Sequence, residues 1–222
     1  MFDIKKASAV ETTAPDAEAL AEINKLTRRP LEAEEVYTFA LRACDDQPDR
    51  DNERFSEACL RGLLPLYIGK TVLLDHRWSA DSQCARVYGG EVAKDGTASY
   101  LRLLCYMLRT AETASMIAAI DGGILREVSV GCACKTMTCS ICGMPYGSCE
   151  HRKGVDYDGR RCLGILSDPT DAYEVSFVAV PAQPAAGVCK SAKPANMTTA
   201  MIEAAKMQLD LEKNRFEKGM LR

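Results

Sequence analysis

Residues 172–181 read AYEVSFVAVP, and the fold is read outward from them. Aromatic and β-branched residues dominate the run, and the Pro-Ala loop VPAQPAAG at 180–187 closes it, the pattern of a β-strand. In a period of two, Glu174 lies on the face opposite Tyr173, Val175 and Phe177. A carboxylate set into such a strand requires a partner, because an unpaired buried charge is costly. The remaining elements follow from similar patterns. EEVYTFAL (34–41), TVLLD (71–75), CARVYGGEVA (84–93), SYLRLLCYML (99–108) and ILREVSVGCA (124–133) read as further strands. Asp16–Arg28 reads as a helix stopped by Pro30. A second helix carries Phe55, Cys59 and Leu63, with Asn52 as its N-cap. A third, AETASMIAAID, is capped by Thr110 and ends at Gly122-Gly123. Strands and helices do not alternate regularly, so the expected class is α+β: a mainly antiparallel barrel or sheet flanked by helices.

The chain divides into an N-terminal leader and helix (1–33), a main domain (34–190) holding a cysteine-dense insertion (134–162), and a linker with a C-terminal helix (191–222). Of the 222 residues 47% are hydrophobic, enough for a sizeable core. A net charge of −3 argues against a general nucleic-acid binder, so no specific nucleic acid is expected as partner. No apolar run approaches the ~20 residues of a membrane span, and the N-terminus lacks the apolar core of a signal peptide. The expected compartment is therefore a reducing cytoplasm. There, eleven cysteines point to metal binding or burial rather than disulfides.

The chain has two histidines, His76 and His151. Their separation excludes the helical zinc-protease motif, which needs two histidines four apart. Gly69-Lys70-Thr71 is not a phosphate loop, since Leu64 stands where the signature needs glycine. His76 follows the strand TVLLD. Ser129 lies mid-strand in LREVSVGC, with Gly131 as a small neighbour that lets backbone approach a substrate. A nucleophilic serine needs a base within reach and a third group that orients the base, and Glu174 suits the last role.

TVLLDHRW, then REVSVG about fifty residues on, then YEVSFVAVPAQPAAG resemble the tailed-phage prohead (capsid maturation) serine protease family, related in fold to herpesvirus assemblin. RACDDQPDRDNERFSEACL, before the histidine, is similar to this family too, and the likeness covers roughly residues 34–190. The resemblance implies a closed, mainly antiparallel barrel with surrounding helices. It implies His76 as general base, Ser129 as nucleophile and Glu174 as the group orienting His76. It further implies an endopeptidase that cleaves scaffold and major capsid proteins, and commonly itself, inside an assembling procapsid in a host cytoplasm. An inactive zinc-containing assembly protein on the same barrel is the alternative.

The insertion departs from the shortest family members. CKTMTCSICGMPYGSCEH supplies Cys139-x2-Cys142 and Cys149-x-His151, with Gly143 after the first pair to allow a tight turn. These four make a Cys3His zinc site of the closed, structural kind. The tight second spacing leaves Cys134 or Cys162 as a replacement for one ligand. Finally, Met201–Leu221 reads as a helix with Ile202, Leu209 and Phe216 at heptad spacing, suited to association with itself or with scaffold.

Overall fold

The computed structural model describes residues 15–189, so the leader and the expected helix Met201–Leu221 lie outside the described residues. Helix α1 (Ala17–Asn24) is N-capped by Asp16, whose carboxylate accepts from the Ala19 amide at 2.8 Å. Strand β1 (Val36–Asp45) is followed by the short β2 (Glu53–Phe55) and helix α2 (Glu57–Tyr67). Strands β3 (Thr71–Leu74), β4 (Ala85–Asp95) and β5 (Ala98–Leu108) lead to helix α3 (Ala114–Asp121). Then come β6 (Val128–Cys139), the two-residue strands β7 (Asp156–Tyr157) and β8 (Arg160–Arg161), the long β9 (Gly164–Phe177), and β10 (Gly187–Val188).

The fold is α+β, with one mainly antiparallel sheet ordered β10–β1–β5–β4–β3–β9–β2 and β6 branching onto β9. Strand β9 is its hub. β6 runs antiparallel along one edge, while β3 and β2 pair with the other edge in parallel. Among the described residues the expected closed barrel is not found: there the two ends of the sheet meet only at the isolated bridge Glu127–Gly187. The physical reason lies in 178–186. Pro181 and Pro184 offer no backbone N–H for a ladder, so the chain leaving β9 loops instead of pairing and regains the sheet for only two residues at β10.

β1 is buried on both faces, which sets the layers. Tyr37, Phe39 and Leu41 join the main core with Val72, Val87, Leu103, Val128, Val175 and Phe177. Val36 and Ala40 meet Ile23 and Leu31 across a second, smaller core beneath α1. α2 covers the main core with Cys59, Leu60, Leu63 and Tyr67, and a Cβ on Gly62 would stand 2.7 Å from Pro169 of β9. That close approach is why a glycine sits mid-helix.

The two expected caps fare differently. Ser56, not Asn52, caps α2, its hydroxyl accepting from the Cys59 amide at 3.1 Å. Asn52 instead takes a left-handed turn conformation (φ 57°) before β2. The regular part of α3 begins after Thr113, and Thr110 caps the turn before it, its hydroxyl accepting from the Thr113 amide at 3.3 Å and its carbonyl from the Ala114 amide at 3.1 Å. The 134–162 segment is not a separate loop at its base. β6 and β9 stay paired from Val128–Phe177 out to Cys139–Gly164, forming one long arm with the cysteine-rich turn at its tip.

Candidate active site and metal centre

β3 ends at Leu74, and Asp75 and His76 follow with φ of 54° and 51°. Two consecutive left-handed non-glycine residues are a strained turn that the surroundings must hold. The Asp75 amide donates to the Phe177 carbonyl at 2.9 Å, and the His76 amide donates to Ser176 Oγ at 3.1 Å. The turn thereby lays His76 over the outer face of β9.

Along the inner face of the β6–β9 ladder, Val128, Val130, Val175 and Phe177 enter the core. The outer face carries the polar set, since Ser129 pairs with Ser176 and Gly131 with Glu174. Paired residues of an antiparallel ladder point to the same side, so Ser129, Glu174 and Ser176 share this face. His76 Nδ1 lies 2.7 Å from Glu174 Oε1. Ser176 donates a short hydrogen bond to Glu174 Oε2. The side chain of Glu174 is 3% exposed and that of His76 41% exposed. A carboxylate only accepts, so Nδ1 carries the proton toward Glu174 and Nε2 is left as the lone-pair nitrogen at the open side. This tautomer is the one a general base needs. Ser129 is partly buried and makes no side-chain hydrogen bond among the described residues; His76 and Glu174 are joined directly, while Ser129 shares their face without a bond to His76.

Gly131 has a role beyond the expected one. A Cβ there would lie 2.5 Å from Glu174 Oε1, so the glycine makes room for the carboxylate that holds the histidine. Its carbonyl also accepts from Tyr67 Oη of α2 at 3.1 Å. Ser176 was not legible as a functional residue. Its period-2 spacing from Glu174 was the available signal, but a serine in a strand has many uses.

Beside Glu174 opens a cleft of about 440 Å³ walled by Leu73, Trp78, Gln83, Tyr173 and Lys70. Trp78 is 72% exposed and packs on the 41% exposed Tyr173 with ring centroids 5.6 Å apart.

At the tip of the arm, one donor atom each from Cys139, Cys142, Cys149 and His151 lies within 4.8 Å of all the others, a cluster that could hold a metal ion. Gly143 takes the left-handed conformation (φ 74°) and its amide closes a turn on the Cys139 carbonyl at 2.8 Å, which wraps the Cys139-x2-Cys142 knuckle. The Ile141 amide donates to Cys139 Sγ at 3.4 Å. Burial opposes a thiolate at Cys139, but the amides of Cys142 and Ile141 and the thiols of Cys162 and Cys142 outweigh it and bring Cys139 down to about 6. His151 Nδ1 is buried and has no hydrogen-bond partner among the described residues. An orphaned imidazole nitrogen among three sulfurs fits a tetrahedral soft cation such as zinc.

The two alternates separate. Cys162 Sγ lies 3.7 Å from Cys139 Sγ, at the margin of the cluster. Cys134 faces the other way, 3.5 Å from Cys59 Sγ on α2, and takes no part. The tip is anchored as well: Lys153 pairs with Glu53 of β2, and the Gly164 amide donates to the Asn52 carbonyl at 2.9 Å.

Compared with protein-family models and with curated proteins, the chain matches none of them. Among the described residues no helix is long and apolar enough to cross a membrane.

Proposed function

We propose that the protein is a serine endopeptidase in which Ser129 attacks the scissile carbonyl, His76 takes its proton through Nε2, and Glu174 orients and stabilises the imidazolium. The observation that carries this reading is the 2.7 Å His76–Glu174 bond, with the carboxylate buried and Ser129 on the same face of the ladder. A buried carboxylate on Nδ1 fixes the tautomer and favours the charged ring as the proton arrives. The reading requires Ser129 to approach Nε2 when substrate binds, since catalytic hydrogen bonds are often long before then. The Trp78–Tyr173 cleft, which Glu174 also lines, offers apolar walls for substrate side chains. The order and flanks of the three motifs extend the proposal to a prohead-type maturation protease acting on scaffold and major capsid proteins, and on itself.

At the tip, Cys139, Cys142, Cys149 and His151 would hold one structural zinc. The ion would supply folding free energy to a turn with few large apolar residues. It takes no part in the reaction.

The test is a fluorophosphonate probe followed by intact mass and peptide mapping, alongside the mass of protein incubated alone. The reading expects one adduct on Ser129, none in Ser129→Ala, and any self-cleavage lost in that variant. A chain that takes no adduct and cleaves neither itself nor a co-expressed scaffold is the inactive assembly protein instead.

A further inference from the structure

Behind the β6–β9 arm, opposite its outer face, lies a group of thiols that neither the proposed reaction nor the metal centre uses. Cys59 of α2 and Cys134 of β6 have sulfurs 3.5 Å apart, although the residues are 75 apart in sequence. Cys44 lies in the same core as Cys59, and Cys132 packs against that core as Cys134 does. Cys59 is fully buried, whereas Cys134 is partly open to solvent.

We infer that Cys59 and Cys134 form an oxidisable dithiol site that closes to a reversible disulfide with a peroxide as oxidant, stapling α2 to β6. The sulfurs already touch, and side-chain rotation must bring them only about 1.5 Å nearer to reach bonding distance. The extra residue at the Ala133/Cys134 register shift, Thr170, belongs to β9, so β6 keeps its period of two and Cys134 meets Cys59 of α2 without a bulge of its own. Cys132 is a poorer partner, because residues two apart on one strand cannot meet disulfide geometry without backbone movement.

Chemistry assigns the order of events. Hydrogen bonds from Cys132 and Cys59 hold the Cys134 thiol well below its ordinary range, while Cys59 is raised by its bond to Cys134 and by burial. Cys134 is thus both the more thiolate-like and the more accessible sulfur. Its thiolate attacks one peroxide oxygen, the O–O bond breaks, and a sulfenic acid and hydroxide result. Cys59 then attacks the Cys134 sulfur, the S–O bond breaks, and water leaves with the Cys59 proton. In total two thiols and hydrogen peroxide give a disulfide and two waters. A thiol reductant reverses it by exchange.

The experiment treats the full, zinc-loaded chain with stoichiometric hydrogen peroxide, blocks free thiols, and maps peptides by mass without reduction. The expected result is a Cys59–Cys134 cross-link in a chain lighter by about 2 Da, restored by dithiothreitol. In Cys59→Ala, dimedone should instead trap a sulfenic acid on Cys134. Cross-links that fall only among Cys139, Cys142, Cys149 and Cys162, or a wild-type chain whose Cys59 and Cys134 both remain alkylatable, would overturn the inference. The wild-type map decides even if Cys59→Ala does not fold.

Discussion

Gly131→Ala adds one carbon and two hydrogens to the chain, yet it should disable the site. The new Cβ would sit 2.5 Å from Glu174 Oε1, about 0.9 Å inside the 3.4 Å at which ordinary contact begins. The carboxylate has nowhere to retreat: Oε1 is held by His76, Oε2 by Ser176, and the side chain is 3% exposed. Overpacking of this kind costs about 1–3 kcal/mol, and a lost hydrogen bond to a charged group about 1.5–3 kcal/mol. Part of the first is relieved by surrendering the second, so a net destabilisation of about 2–4 kcal/mol is expected. The effect on reactivity should be larger than on stability. A base in the wrong tautomer lowers serine-protease rates by up to ~10⁴, so fluorophosphonate labelling of Ser129 should slow by at least ~100-fold. Thermal melts report the first quantity and time-resolved intact mass the second. A cycle with Glu174→Ala locates the cause: if Gly131→Ala acts through Glu174, the double variant should label no more slowly than Glu174→Ala alone. Wild-type labelling rate and melting point in Gly131→Ala would refute the argument, as would full additivity in the cycle.

Three further outcomes are expected. Ser176→Ala removes the acceptor for the strained His76 amide and the donor to Glu174, so it should cost about 1–3 kcal/mol and reduce Ser129 labelling, whereas Ser176→Thr should keep part of both; melts and labelling rates decide, and an unaffected Ser176→Ala would reduce the residue to filler. Freshly purified chain should carry one zinc by elemental analysis, and Cys142→Ser should lose it and open the 140–163 turn to proteases; a zinc-free chain with a resistant turn would give the cysteines another role. Trp78→Ala should leave the fold intact, because the ring is 72% exposed, and weaken peptide cleavage mainly through KM; an unchanged KM would separate the cleft from the substrate.

Much of this protein was legible one residue pattern at a time. The alternation in 172–177 marked a strand with Glu174 apart from Val175 and Phe177, and the structure puts those two in the core with Glu174 on the outer face. The Cys139-x2-Cys142 spacing with Gly143 behind it encoded a knuckle, because three or four residues of chain suffice to build one. These are local properties, fixed by a side chain's size, its charge and the backbone angles it tolerates. What joins distant segments was not written locally. His76 reaches Glu174, 98 residues on, only because β3 lies parallel to β9 and a two-residue left-handed turn follows it. Register made Gly131 the space for a carboxylate and made Ser176 the brace beneath the histidine. It also divided cysteines that look alike in sequence, sending Cys162 to the metal cluster and Cys134 to Cys59 on α2. The same limit explains the barrel: alternation announces strands, but closure depends on whether the last of them finds ladder partners, and two prolines after β9 leave only a bridge. A sequence specifies which groups need a partner, whereas strand register, a cooperative property of the whole sheet, decides which partner each one meets.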